Sequence, residues 1–337
     1  MNLKIGKMER GKTNLITDVP GVKVGHCTVD TDRHKTGVTV ILPCQDDIFQ
    51  NKMVAACHVL NGFGKTTGLI QIQELGTLET PIALTNTLNV GLVQDALVEY
   101  LCKRAEENGY GIRSVNPVVC ECNDASLNDI RHRAVGQKEV FEAIQNARED
   151  FSLGDVGAGK GMTCHDLKGG IGSSSRIVEI GTERFTIGVL VLTNHGSLKD
   201  LTIGGKNIGM DIEQQIRENT PDEGSCIMIV ATDLPVTSRQ LGRIIRRCSV
   251  GLARLGSFIG HGSGEVMIGF STANRIPAQG HILAMRSIHE SHMDKAFRAT
   301  AEATEEAVLR SMLYAKPVTG YSGKIRHSLS EFWQANS

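Results

Sequence analysis

The sequence predicts an α+β protein built in layers, and three observations carry this. Short apolar runs bounded by turn residues recur through most of the chain. Between them lie longer blocks with apolar residues three and four positions apart, the repeat of one helix face. Glycine makes up 37 of 337 residues while aromatics are only 4 %, a balance that suits tight turns and close backbone approaches. Strand runs flanked by helix blocks bury their apolar faces by stacking on one another.

The elements follow in order. Residues 21–29 (GVKVGHCTV) and 36–43 (TGVTVILP) are short strands, and 53–61 (MVAACHVLN) is an apolar run that ends on the turn signal Asn61-Gly62. Residues 80–91 (TPIALTNTLNVG) read as a strand entering a helix from about Val90 to Asn108, with Leu92, Val93, Ala96, Leu97, Tyr100 and Leu101 on one face. Residues 115–124 (VNPVVCECND) form a strand with a polar end, and a helix follows near 137–148. Two strands, within 169–180 and 184–196, meet at Gly181-Thr182-Glu183, so antiparallel pairing is expected. Ile227 to Val230 reads as a buried strand. Thr237 or Ser238 then caps a helix to about Leu255, in which Leu241, Ile244, Ile245, Cys248, Leu252 and Leu255 recur at helical spacing. Residues 265–272 (EVMIGFST) form a further strand. An alanine-rich helix from about Ile288 to Leu313 suits close helix packing. The polar stretch 205–224, with Pro221, reads as a linker, a surface loop or a processing region.

Composition narrows the function. Lys plus Arg is 36 against 37 Asp plus Glu, without the basic excess of a nucleic-acid binder. The short basic cluster Arg243–Arg247 falls in a helix pattern and reads as a solvated face. Nine cysteines show no disulfide or zinc-knuckle spacing and read as small core residues in a reducing compartment. The opening residues, MNLKIGKMERGK, hold no apolar stretch of signal length, and no window approaches 18 apolar residues. A cytoplasmic location with no membrane partner is the expectation.

Several patterns are candidates for chemistry. Gly64-Lys65-Thr66-Thr67 resembles the end of a phosphate loop, but the leading glycine that motif needs is Val59. The eleven histidines contain no H-E-x-x-H. His289 and His292, three apart, read as surface residues, and no metal is expected. His26, His58, His195 and His261 follow or end strands with no local partner. Asn194 closes a highly apolar strand, where a carboxamide can donate to an oxyanion or simply form a turn. Glu121 sits inside an apolar strand ahead of Asp124, Asn128 and Asp129. A lone acid there is either paired or functional, and a buried carboxylate suits a substrate ammonium. Glycines 260, 262 and 264 surround Ser263, and Glu265 opens a buried strand, which is costly without partners.

Gly224-Ser225 stands directly behind Asp222 and Glu223, at the head of a buried strand. A serine here can attack the preceding carbonyl, shift the peptide to an ester and let water open it. The freed α-amine, with a pKa of about 7.7–8.0, can then serve the hydroxyl as a base near neutral pH.

The run GSCIMIVATDLPV, the helix SRQLGRIIRRCSVGLARLGS and the segment HGSGEVMIGFSTAN resemble the DmpA-like L-aminopeptidase/D-amidase-esterase and β-aminopeptidase family, self-processing N-terminal-nucleophile hydrolases. ITDVPGVKVGH, ELGTLETPIALTNT, PVV-x-E-x-ND and GVLVLTN extend the resemblance over residues 12–320 or so. It implies a four-layer αββα sandwich shared with ornithine acetyltransferases. It implies a single hydrolase domain over residues 1–337, cut between Gly224 and Ser225 into fragments 1–224 and 225–337 that stay together and assemble as tetramers. Ser225 is then the nucleophile. Ser263 and Glu265 orient it and relay its proton, Asn194 serves the oxyanion, and Glu121 grips the free amine of a small peptide, amide or ester. No cofactor is implied. Three positions depart from the pattern: Cys226 replaces an aliphatic residue, Asn123 replaces a pocket aromatic among the substrate-binding residues, and Lys65 replaces an acid. The alternatives are an acyltransferase on the same fold, which typically uses threonine where Ser225 stands, and a non-catalytic scaffold.

Overall fold

The computed structural model describes residues 5–216 and 224–333. Two sheets form its centre. The first has four strands in the order β1 (Lys23–Asp30), β2 (Lys35–Leu42), β5 (Ile82–Asn86) and β6 (Val118–Cys122). The second has six, in the order β4 (Thr77–Leu78), β3 (Asn51–Gly62), β10 (Gly264–Pro277), β9 (Ser225–Thr232), β8 (Glu183–Asn194) and β7 (Gly170–Ile180).

The period-two alternation of strand side chains sorts the core into layers. On β9, Ile227, Ile229 and Ala231 face the four-stranded sheet, while Cys226, Met228 and Val230 face helices. Leu190 and Leu192 of β8 point inward with Ile227, and Val189 and Val191 point outward. Cys120 and Cys122, two apart on β6, both enter the core between the sheets. Each fully buried Ile or Leu contributes about 1.5–3 kcal/mol, so a one-residue slip of β9 would reverse a large term.

Helices cover both outer faces, which makes the αββα sandwich, and a short helix, α1 (Leu69–Leu75), links β3 to β4. α2 (Val90–Glu107) and α3 (Gln137–Gln145) lie on the four-stranded sheet, with Val93, Leu97, Val140 and Ala143 against Val38, Val40, Ala83 and Val119. α5 (Ser238–Ile245), α6 (Cys248–Arg254) and α7 (Met293–Leu313) cover the six-stranded sheet. Thr237 caps α5 by accepting from Gln240 N at 3.2 Å, an N-cap worth about 1 kcal/mol.

Some elements differ from expectation. The helix expected from Ser238 to Leu255 is two, broken at Arg246-Arg247, where the Arg247 guanidinium lies 4.1 Å from the centre of the Phe297 ring. α7 begins at Met293, because His289 caps a separate short turn by accepting from Ser291 N. Asn61-Gly62 is no turn: both residues continue β3 and pair with Glu265 and Gly264. The polar stretch 205–224 contains a helix, α4 (Gly209–Ile216), which buries Ile212. Residues 217–223, with Asp222 and Glu223, lie outside the described residues. No helix among the described residues is long and apolar enough to cross a membrane.

Candidate active site

The registers at one end of the six-stranded sheet bring distant residues into a row. Asn194 pairs with Ser225 across the antiparallel β8–β9 ladder, Ser225 pairs with Gly264 across the parallel β9–β10 ladder, and Gly264 pairs with Gly62. By the pleat, Asn194 and Ser225 share the face of Leu192 and Ile227, toward the other sheet. There a cleft of about 430 Å³ opens, lined by Asn194, Gly224, Ser225 and Gly262 on one side and by Phe63, Lys65, Thr87, Glu121, Asn123, Ser126 and Thr163 around it. Cys122 ties the two sheets at this point: its thiol lies 3.4 Å from the Ser225 carbonyl oxygen and 3.6 Å from that of Leu192.

The row depends on bare backbone at two positions. A Cβ on Gly224 would run into the carbonyl oxygen of Asn194, and one on Gly264 would meet the Phe63 carbonyl oxygen at 2.5 Å and Ser225 Oγ at 3.1 Å. The Gly224 carbonyl oxygen, on the bond ahead of Ser225, accepts from Gly264 N at 2.9 Å.

Hydrogen bonds orient the polar groups. Asn194 Oδ1 accepts from Thr163 N at 2.9 Å and from Thr163 Oγ1 at 3.3 Å. With Oδ1 assigned as the acceptor, Nδ2 is the end that can donate. Glu121 is buried, and it accepts from Lys65 N at 2.8 Å and from the Thr87 hydroxyl. Asn123 turns its Oδ1 back to Ala125 N at 2.9 Å while lining the cleft. The Lys65 ammonium lies 4.7 Å from the centre of the exposed Phe63 ring.

Ser263 and Glu265 are buried and hydrogen-bonded to each other. The pleat puts Glu265, paired with Cys226, on the opposite face from Ser225. The pair therefore stands behind β9, joined to it through Gly264. Asn61 holds their loop, donating from Nδ2 to the carbonyls of Gly260 at 2.9 Å and Ser263 at 2.6 Å.

The structure thus brings Ser225, Gly224, Asn194, Glu121 and Asn123 around one cleft and sets Ser263 and Glu265 beside it. Asp124 is buried nearby, where desolvation pushes its carboxyl up to about 6. His26, held by Thr39 and Ser152, and His58, His195 and His261 do not line the cleft. Sequence reasoning missed Thr87, Thr163 and the clamp at Asn61, and it noted Lys65 only as a departure from the family pattern, not for its backbone N–H. Thr87 had a signal, at the polar end of an apolar strand. Thr163 had none, since its role exists only where two distant segments meet.

The model of peptidase family S58 matches residues 14–326. The chain is 36 % identical over 335 residues to the β-peptidyl aminopeptidase BapA of Sphingosinicella xenopeptidilytica, covering 92 % of this chain and 83 % of that protein. The crystal structure of the PH0078 protein from Pyrococcus horikoshii OT3 superposes with a TM-score of 0.92 at 46 % identity, over 98 % of this chain and 95 % of the other. The L-aminopeptidase D-Ala-esterase/amidase from Ochrobactrum anthropi, described as a prototype for the serine aminopeptidases and a variant of the Ntn-hydrolase fold, superposes at 0.90 with 33 % identity, over 96 % and 93 %. A family model spanning nearly all of the described chain, a near-complete relative and two near-complete superpositions agree: the chain belongs to peptidase family S58.

Proposed function

We propose that this chain is an aminopeptidase or amidase that cuts itself between Gly224 and Ser225 and then works through an acyl-enzyme on Ser225. The observation that carries this reading is the row Asn194–Ser225–Gly264 at the mouth of a cleft that also holds the Glu121 carboxylate.

In processing, Ser225 Oγ attacks the Gly224 carbonyl carbon. The C–N bond breaks as the nitrogen takes a proton, and water opens the resulting ester to a Gly224 carboxylate and a free Ser225 amine. The Gly264 N–H, already on that carbonyl oxygen, supports the charge that builds there. In turnover, the Ser225 amine, at an ordinary pKa of about 7.7–8.0, takes the hydroxyl proton. Ser263, held by Glu265, relays that proton and keeps the new chain end in place. Asn194 Nδ2 donates to the oxyanion, and Glu121 holds the substrate's ammonium. The scheme uses the chain's own groups alone.

Fragments 1–224 and 225–337 remain one domain in this reading, in a cytoplasmic homo-oligomer, a tetramer of processed pairs. Substrates are small peptides, amides or esters with a free amine. The β-peptidyl, L-amino-acid and D-alanine classes named for the relatives are the first to try. The test is a panel of L-alanyl, β-alanyl and D-alanyl p-nitroanilides with wild type and Ser225→Ala. Turnover of at least one class by wild type alone is expected; turnover surviving in Ser225→Ala overturns the proposal.

A further inference from the structure

Directly behind Asn194 lies a side-chain cluster that this reaction does not use. Cys164, His165 and His195 are buried, and one ligand atom from each lies within 4.8 Å of the others. Cys164 and His165 follow Thr163 into a tight turn in which His165 and Asp166 take positive φ, 47° and 59°. His195 follows Asn194 at the end of β8. The two imidazole rings meet edge to face, 5.6 Å between centres. His165 Nδ1 stands 3.0 Å from the Ser197 carbonyl oxygen. A carbonyl only accepts, so Nδ1 carries the proton and Nε2 keeps its lone pair, as in metal-binding imidazoles. Among the described residues, neither ring nitrogen of His195 meets a hydrogen-bond partner.

We propose that Cys164, His165 and His195 bind a thiophilic transition-metal ion, Zn²⁺ above all, immediately behind the oxyanion strand. One thiolate and two imidazoles are the donors of zinc or copper, whereas magnesium and calcium take oxygen. Tetrahedral zinc, with Zn–S about 2.3 Å and Zn–N about 2.0–2.1 Å, spaces its ligand atoms about 3.3–3.6 Å apart. The side chains close on the ion by about 1 Å or less. The Cys164 proton leaves to solvent, and a water takes the fourth position.

Binding reaches the active site through the chain. Cys164 and His195 each adjoin one partner of the Thr163–Asn194 hydrogen bond, so drawing them together moves the Asn194 carboxamide. A displacement of about 1 Å can cost about 10²-fold in rate, so loading lowers turnover tenfold or more. This consequence rests on the role proposed for Asn194; the binding of the ion does not.

The experiment incubates the full-length protein with excess ZnCl₂ or CoCl₂, removes loose ion by gel filtration and counts metal per chain. One retained ion is expected, with a thiolate-to-cobalt charge-transfer band in the cobalt form. Cys164→Ser and His195→Gln lose the ion, whereas Cys102→Ser keeps it. Should those variants not fold, wild-type crystals soaked in zinc decide: a peak in the anomalous map at the zinc edge belongs within about 2.5 Å of the Cys164 sulfur. No retained ion, equal retention in Cys164→Ser, or a peak only at another cysteine overturns the site. An ion bound here with turnover unchanged overturns the coupling alone. Inactivity of metal-free protein counts against the Ser225 reading and leaves the metal count to decide the site.

Discussion

Asn194 and Ser225 face each other across the antiparallel ladder of β8 and β9, 31 positions apart in the chain and neighbours in the sheet. Both side chains point to the cleft, and the Asn194 carboxamide is turned by Thr163 so that its NH₂ end can donate. If Nδ2 serves the oxyanion, Asn194→Ala lowers kcat about 10²- to 10³-fold with little change in KM. Thr163→Val keeps the backbone donor and costs several-fold. Steady-state kinetics on the best p-nitroanilide distinguish the two, and an Asn194→Ala enzyme with full kcat removes the oxyanion role.

Processing gives the simplest readout. If the chain cuts itself before Ser225, the expected result on a denaturing gel is two wild-type fragments of about two-thirds and one-third of the chain, and one band for Ser225→Ala. Gly224→Ala places a methyl group against the Asn194 carbonyl oxygen, so cleavage slows sharply. Cleavage of Gly224→Ala at the wild-type rate would show that the close approach is not needed.

Glu121 lines the cleft and accepts from Lys65 N and the Thr87 hydroxyl; the proposed reading has it hold the substrate's ammonium. Replacing a charge-assisted contact of about 1.5–3 kcal/mol by a neutral one in Glu121→Gln lowers kcat/KM about 10- to 100-fold, mainly through KM. The preference for free over N-acetylated substrates shrinks with it. An unchanged ratio between those two substrates argues that another group reads the amine.

Lys168 tests the scaffold under the site. It is fully buried, and its ammonium donates to the carbonyls of Gly159, Met162 and Gly169 at 2.9, 2.7 and 2.7 Å, pinning the segment that leads to Thr163. Lys168→Met strips those carbonyls of a donor at about 1–3 kcal/mol for each left unsatisfied. Burial pushes the Lys168 pKa from the ordinary 10.5 down to about 7. Between those values the unfolded chain binds more protons than the folded one, so wild-type stability rises with pH from about 7 to 10.5 relative to the variant. Urea unfolding of both proteins at pH 7 and pH 9.5 checks the sign; a gap that narrows refutes it.

Local pattern carried much of this protein by itself. The near-continuous apolar runs within 184–196 and at Ile227 to Val230, rich in β-branched residues, announced buried strands, because short runs of that kind fit a strand covered on both faces. Thr237 or Ser238 announced the start of α5, because an N-cap satisfies its own helix, and the structure puts the cap at Thr237. Ser225 at the head of an apolar strand, Asn194 at the end of one and Glu121 inside one stood out in the sequence for a related reason: a polar side chain at a buried position needs partners. Tertiary structure alone decided what depends on distant partners. Asn61-Gly62 reads as a turn in isolation, but pairing with Gly264 and Glu265 holds it in a strand, and Asn61 then clamps a loop some 200 residues away. Lys65 offers the site its backbone N–H, which no side-chain pattern reveals. The opposite faces of Ser225 and Glu265 follow from ladder register. Register comes from the sum of core contacts across two sheets, and no stretch of sequence contains that sum.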